Sequence, residues 1–175
     1  EYLRFVDEFK PRAVLIENVP GLVSFEKGKT LHAILDALAQ LGYGADVHIL
    51  GAPYYGVPQM RWRTIIMGLR GSVIPQEAWP EPVRHAPIRA NFTTTFDGKP
   101  IVKRPSPETS APFTTLREAI GDLPPLSNGE RGDAIKEYAS EPTCDYQASM
   151  RVGSVGVMNH EAPRLSQINL DRLKY

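Results

Sequence analysis

Two groups of residues in this chain are of types that do chemistry, and their spacing would let one site use both. The first is Glu17-Asn18, an acid and an amide that follow the apolar run Ala13-Val-Leu-Ile16 and precede a Val-Pro-Gly break. The second is Gln59-Met-Arg-Trp-Arg63, in which Gln59, Arg61 and Arg63 recur at every second position. On an extended segment that period sets the amide and both guanidiniums on one face, with Met60 and Trp62 on the other. Two planar guanidiniums and an amide displayed together suit carbonyl or phosphate oxygens. Taken singly, the Glu-Asn reads equally as a surface pair entering a turn, and three polar residues on an edge strand are more often a solvated face.

Elements must hold these groups. The run Ala13–Ile16, bounded by Lys10-Pro-Arg12 and Pro20-Gly21, predicts a short strand buried on both faces, as in a parallel sheet. Glu17 and Asn18 would emerge at its carboxyl end, where open α/β sheets place their ligands. Upstream, Tyr2, Phe5, Val6 and Phe9 share a helical face, and Pro11 ends that helix. Downstream, Leu31, Ile34, Leu35, Leu38 and Leu41 form an amphipathic stripe over residues 30–41, stopped by Gly42. Residues 45–50 alternate as a half-buried strand, and residues 64–69 read as a fully buried one. These two are close enough in sequence to pair antiparallel, across the loop Gly51-Ala-Pro-Tyr-Tyr-Gly-Val-Pro58. Helix, strand, helix, strand, loop, strand predicts an α/β fold, the later half of a doubly wound, Rossmann-like sheet over residues 1–71.

Composition shifts after Gly71, where half of the sixteen prolines crowd between Pro75 and Pro112. Residues 72–175 are therefore expected to form an irregular extension, with Trp79 as its packing anchor. Within it, Thr115-Leu-Arg-Glu118 has the form of a capping box opening a short helix closed by Pro124-Pro125. Residues 127–157 carry no readable period, and residues 163–175 look like the start of another helix. Both termini lie inside helical patterns, as expected of a piece of a longer protein.

Composition narrows the class. The proportions, 42% hydrophobic and 23% charged, fit a globular protein, and no apolar run is long enough to cross a bilayer. The lone Cys144 excludes an internal disulfide and a cysteine-based zinc cage, and points to a reducing, intracellular setting. His32, His48, His85 and His160 make no metal-ligand spacing with one another. Formal net charge is zero, so the total says nothing about nucleic acid. Locally, Arg84, Arg89, Lys99, Lys103 and Arg104 face only Asp97 within residues 84–104, whereas residues 105–145 hold eight acids against three bases. Each block reads by default as a solvated face, and the basic one could also track a phosphate backbone. Tyr54 and Tyr55 could stack on a nucleotide or pack within their loop.

A strand ending in Glu17-Asn-Val-Pro-Gly-Leu22, a capped helix, a strand, a Tyr-Gly-Val-Pro loop and then Gln59-x-Arg-x-Arg63 together resemble the DNA (cytosine-5) methyltransferase family. Glu17-Asn18-Val19 matches its Glu-Asn-Val motif, and residues 59–63 match its Gln-x-Arg-x-Arg motif. Trp79-Pro-Glu-Pro82 and residues 113–124 are similar to the segment that follows in maintenance-type eukaryotic members. Asn159-His160 and the residues after it resemble the approach to the target-recognition region.

The resemblance implies a Rossmann-like methyltransferase lobe, double-stranded DNA as partner, S-adenosylmethionine as methyl donor and, in a eukaryote, a nuclear location. It implies addition of a cysteine thiolate to carbon 6 of a flipped-out cytosine, methylation at carbon 5, then loss of the proton and the thiolate. Glu17 would meet ring nitrogen 3 and the exocyclic amine, carrying or sharing a proton, which burial at a strand end would favour by disfavouring the charged form. Arg63 would meet oxygen 2, Arg61 and Gln59 would reach phosphate or brace the loop, and Asn18 would fix the strand end. Some family parts are missing. No Pro-Cys nucleophile motif precedes Glu17, Cys144 stands in a different context, and the one Gly-x-Gly, Gly42-Tyr-Gly44, follows a helix rather than a strand. No cofactor-binding residue is therefore expected within these 175 residues, which could not transfer a methyl group unaided. Alternatives are a transfer-RNA cytosine-5 methyltransferase of the same fold and a catalytically dead, methyltransferase-like binding module.

Overall fold

A computed structural model describes residues 1–87, 91–108, 110–132 and 134–173. Arg89 of the basic run, and the last two residues of the C-terminal helical pattern, lie outside the described residues. The chain divides into two compact units, Glu1–Phe113 and Thr114–Tyr175.

In the first unit, helix α1 (Tyr2–Phe9) leads into strand β1 (Ala13–Asn18), followed by helix α2 (Lys29–Gln40) and strands β2 (Tyr43–Gly51) and β3 (Trp62–Arg70). The three strands form one sheet in the order β1-β3-β2, with β3 antiparallel to both neighbours. The expected antiparallel pairing of the last two strands is present, and its register runs from Tyr43↔Arg70 to Gly51↔Trp62.

Pairing and pleat divide the sheet into two faces. One carries Val14, Tyr43, Val47, Ile49, Thr64 and Ile66, all buried, and is covered by α2 through Leu31 and Leu38, each with no exposed surface. Burying a leucine side chain fully contributes about 1.5–3 kcal/mol, so this face dominates the stability of the unit. As expected, Gly42 stops α2, standing just past the C-cap Leu41 with a φ of 84° that only glycine adopts without cost.

The other face carries Leu15, Glu17, Asp46, His48, Arg63, Ile65 and Met67, and is partly open. Here the expectation of a strand buried on both sides fails: β1 pairs with β3 alone among the described residues, and Leu15 is 57% exposed. β3 likewise is not fully buried, since Ile65, Met67 and Leu69 are only half-covered while Thr64, Ile66 and Gly68 are enclosed. In α1 only Val6 is buried. Tyr2, Phe5 and Phe9 remain exposed, with the Phe5 and Phe9 rings stacked at 6.2 Å on the helix surface.

The boundary read from composition at Gly71 does not divide the chain, because single large side chains tie the proline-rich stretch to the sheet. Ile101 joins the core, and its carbonyl accepts the Ile49 N–H at the outer edge of β2 (2.7 Å). Trp79, 2% exposed, donates its indole N–H to Asp46 Oδ2 (2.9 Å) and packs on the His48 ring at 4.4 Å. Lys103 pairs with Glu81, and Arg84 donates to the Pro112 carbonyl, so part of the basic run is engaged locally. Short strands β4 (Arg84–His85) with β7 (Ala111–Pro112), and β5 (Thr95–Phe96) with β6 (Lys99–Pro100), complete this unit.

The second unit contains helices α3 (Leu116–Ile120), α4 (Asp145–Met150) and α5 (Gln167–Arg172). The Thr115–Glu118 capping box is formed in both directions. This unit is joined largely by polar groups. Gln147, 2% exposed, donates to the Glu118 carbonyl (2.6 Å), and Asp122, 3% exposed, accepts from Arg151, whose guanidinium lies 3.8 Å over the Tyr138 ring.

Candidate functional site

Glu17 is the next-to-last residue of β1, opposite Ile65 in the register, and Arg63 lies two residues earlier on β3, on the same face. Antiparallel pairing thus makes diagonal neighbours of two residues 46 positions apart in sequence. Arg63 Nε stands 2.5 Å from Glu17 Oε1, and Arg61 Nη2 stands 4.0 Å from the same oxygen. Arg63 also donates from Nη1 to the Trp62 carbonyl (2.8 Å), which fixes the plane of its guanidinium. The group holds one carboxylate against two guanidiniums, a local excess of positive charge. Burial does not enclose the carboxyl as the sequence led us to expect, since its side chain is 51% exposed, against 24% for Arg63 and 49% for Arg61.

The remaining candidates are placed differently. Asn18 folds its Oδ1 back to accept the Val19 N–H (2.8 Å). Gln59 and Arg61 precede β3 rather than continuing it. Gln59 N–H donates to the Val57 carbonyl (2.8 Å) and Arg61 N–H to the Gln59 carbonyl (2.9 Å), so the segment is tightly turned and the expected period-two face does not extend back to Gln59. The Ala52 N–H to Arg61 carbonyl bond (2.8 Å) closes this loop onto the strand ends. Gly51 is required opposite Trp62, because a Cβ there would lie 2.4 Å from the indole ring. Trp62 in turn meets the buried Tyr54 edge-on at 5.1 Å, which makes Tyr54 a packing residue. Burial, with Glu81 and Tyr54 adding to it, pushes the Tyr55 hydroxyl up to about 12.

Other polar groups stand apart from Glu17. A cavity of about 420 Å³ lies along the outer edge of β2, lined from both faces of the sheet by Ala45, Asp46, Val47 and His48, with Trp79 and Lys103 beside them. Burial lowers the His48 pKa below the ordinary 6.5, with Lys103 adding to the effect and Asp46 opposing it. His32 contacts Asp97 (3.1 Å), His85 meets the Ser110 carbonyl (2.9 Å), and His160 meets the Pro124 carbonyl (2.7 Å). Among the described residues no cluster of three His, Cys, Asp or Glu side chains could hold a metal ion, and no helix is long and apolar enough to cross a membrane. Cys144 belongs to the second unit, where it precedes α4 and its thiol reaches the Glu118 carbonyl at 3.5 Å. A Cβ at Gly44 would lie 2.2 Å from the Ser72 carbonyl oxygen, so this glycine makes room for the chain itself.

One contributor was not among the candidates. Thr64, with no exposed surface, donates its hydroxyl to the Val19 carbonyl at 3.2 Å. A threonine inside an apolar strand pattern reads as a β-former, and the only sequence signal for a polar role is its place between Arg63 and the run of isoleucines.

The family model described as C-5 cytosine-specific DNA methylase matches residues 1–152. DNA (cytosine-5)-methyltransferase 1A of rice, Oryza sativa subsp. japonica, is 36% identical over 177 residues, covering 99% of this chain and 11% of that protein. Type II methyltransferase M.AgeI of Thalassovita gelatinovora is 37% identical over 177 residues, covering 98% of this chain and 39% of that one. A solved E. coli structure, described as a candidate DNA modification methyltransferase encoded within a prophage, superposes with a TM-score of 0.53 at 19% identity, over 83% of this chain and 36% of that one, and so shares the fold.

Proposed function

This chain belongs to the C-5 cytosine-specific DNA methylase family, and we propose from that premise that it supplies the base-gripping residues of a DNA cytosine-5 methyltransferase. The observation that carries the reading is the convergence of Glu17 and Arg63 on one sheet face. A cytosine edge offers an exocyclic amine donor, a ring nitrogen and a carbonyl oxygen in a row. A carboxyl beside a guanidinium fork complements that row: the carboxyl meets the amine and ring nitrogen 3, and the guanidinium donates to oxygen 2. In the free chain the two groups satisfy each other, so the base enters by replacing their contact. An ion pair this exposed contributes only about 0–1 kcal/mol, so opening it costs the incoming base little.

The base must leave the duplex to reach these groups, because its edge is paired inside the stack. Arg61, more exposed and further from the carboxylate, is assigned to a backbone phosphate of double-stranded DNA, with Gln59 bracing the same turn. The methyl donor implied by the family is S-adenosylmethionine, which supplies an electrophilic methyl group. It and the nucleophile are handled by residues other than those described above. Asn159-His160 and the residues after it are assigned to the approach to target recognition, and in a eukaryotic cell the protein would act in the nucleus.

The test is methyl transfer from labelled S-adenosylmethionine by the full-length protein, with duplex DNA and transfer RNA compared as acceptors. Label at carbon 5 of cytosine in the duplex is the expected result. Label confined to transfer RNA, or found in neither acceptor, overturns it.

A further inference from the structure

We propose that Thr64 is a positioning residue that holds the Glu17 strand end in register with Arg63. The inference rests on the proposed function and deepens it. A hydroxyl with no exposed surface needs a partner inside the protein, and the one Thr64 uses is the Val19 carbonyl, 45 residues away in sequence.

That carbonyl is a junction. The β1–β3 ladder ends with the pair Asn18↔Thr64. Val19 is still extended (φ −74°, ψ 153°), Pro20 has no N–H to offer, and the chain then enters a 3-10 turn, Pro20–Val23. Past Asn18, the strand end is therefore held to β3 through a side chain rather than through the backbone ladder. The Val19 carbonyl accepts the Leu22 N–H (3.1 Å) from its own turn and the Thr64 hydroxyl from β3. Only the second of these bonds ties the turn to the strand that carries Arg63. Thr64 points to the buried face and Arg63, its chain neighbour, to the open one, so a single residue step connects the anchor to the guanidinium.

Loss of the hydroxyl leaves the Val19 carbonyl still paired with Leu22 and the buried volume nearly unchanged in valine. The fold therefore survives, while Glu17 gains freedom relative to Arg63. Displacements of an ångström or less at a reacting centre cost large factors in rate.

The experiment uses the full-length protein with labelled S-adenosylmethionine and duplex DNA under single-turnover conditions, on wild type, Thr64→Val, Thr64→Ser, Glu17→Gln and the Thr64→Val/Glu17→Gln double variant. Thr64→Val should transfer methyl about tenfold more slowly, with the melting temperature and the KM for DNA close to wild type. Thr64→Ser, which keeps the hydroxyl, should recover most of the rate. In the Glu17→Gln background Thr64→Val should add no further loss, because the group it positions is already disabled. Wild-type rate in Thr64→Val, an equal loss in Thr64→Ser, or a fully multiplicative loss in the double variant each overturns the role of Thr64 and leaves the proposed function standing. Absence of transfer by the wild type overturns the proposed function, and this role with it.

Discussion

Replacing Glu17 with glutamine separates a role in chemistry from a role in holding the fold. The structure sets both magnitudes. The carboxylate is half-exposed and its partner Arg63 sits at the open end of the sheet, so solvent screens their attraction, and removing it should cost no more than about 1 kcal/mol of stability. The glutamine amide keeps an oxygen that can still accept from Arg63, which lowers the cost further. In the proposed role at a reacting base the balance is different. A preorganised group aimed at developing charge is worth about 2.7–4 kcal/mol, or roughly two to three orders of magnitude in rate. The glutamine can neither carry nor share a proton at ring nitrogen 3. In the full-length protein, Glu17→Gln should therefore slow single-turnover methyl transfer to duplex DNA by about 10²–10³-fold, while the urea midpoint barely moves. Two results refute the reasoning. Turnover within a few-fold of wild type removes Glu17 from the chemistry. A rate loss accompanied by several kcal/mol of destabilisation makes Glu17 a structural residue.

Arg61→Ala should raise the KM for DNA and weaken its salt dependence while leaving the rate at saturation nearly intact, measured by steady-state transfer over a salt series. Trp79→Ala should cost about 3–5 kcal/mol, since the ring is almost fully buried, and should expose residues 80–108 to proteolysis. Trp79→Phe, which mainly removes the bond to Asp46, should cost about 1–2 kcal/mol. Gly51→Ala should cost about 1–3 kcal/mol by overpacking against Trp62, followed by fluorescence in a Trp79→Phe background where Trp62 is the remaining tryptophan. The folded-state pKa of His48 lies below the ordinary 6.5, so between the two values the unfolded chain binds the extra proton. Stability should rise with pH through that window and level off above 6.5, and melting curves of His48→Gln should lack that slope.

What could be read from the sequence, and what could not, follows from how each element is stabilised. Helix α2 and strands β2 and β3 are held by apolar periodicity, and their order and antiparallel pairing were legible. The apolar run of β1 was legible as a strand but not as an edge, because Val14 faces the core and Leu15 faces outward, and both look alike in sequence. The extent of the first unit was hidden for the opposite reason. Prolines signalled an irregular path, yet Trp79 and Ile101, spaced without period, bind that path to the sheet. Within the second unit, α4 went unread because its buried contact is Gln147 rather than an apolar stripe. Of the candidate site residues, the structure brings Glu17, Arg61 and Arg63 together. Gln59 falls away because two consecutive tight turns replace the extended segment that its spacing implied.

The geometry of the open face is inherited from the buried one. Side chains alternate along a strand, so a one-residue slip of β3 against β1 would carry Arg63 into the core and bring Thr64 and Ile66 out. That slip is opposed by residues with no part in the chemistry: Val14, Tyr43, Val47 and Ile49, packed beneath Leu31 and Leu38 of α2. A truncation such as Leu38→Ala should cost about 2–5 kcal/mol, several times what the Glu17–Arg63 contact contributes to the fold. The acid and the guanidinium therefore do not find each other by mutual attraction. The core sets the register, and the register places two exposed, weakly coupled groups side by side; in the proposed function that weak contact is an advantage, because an incoming base edge has to replace it.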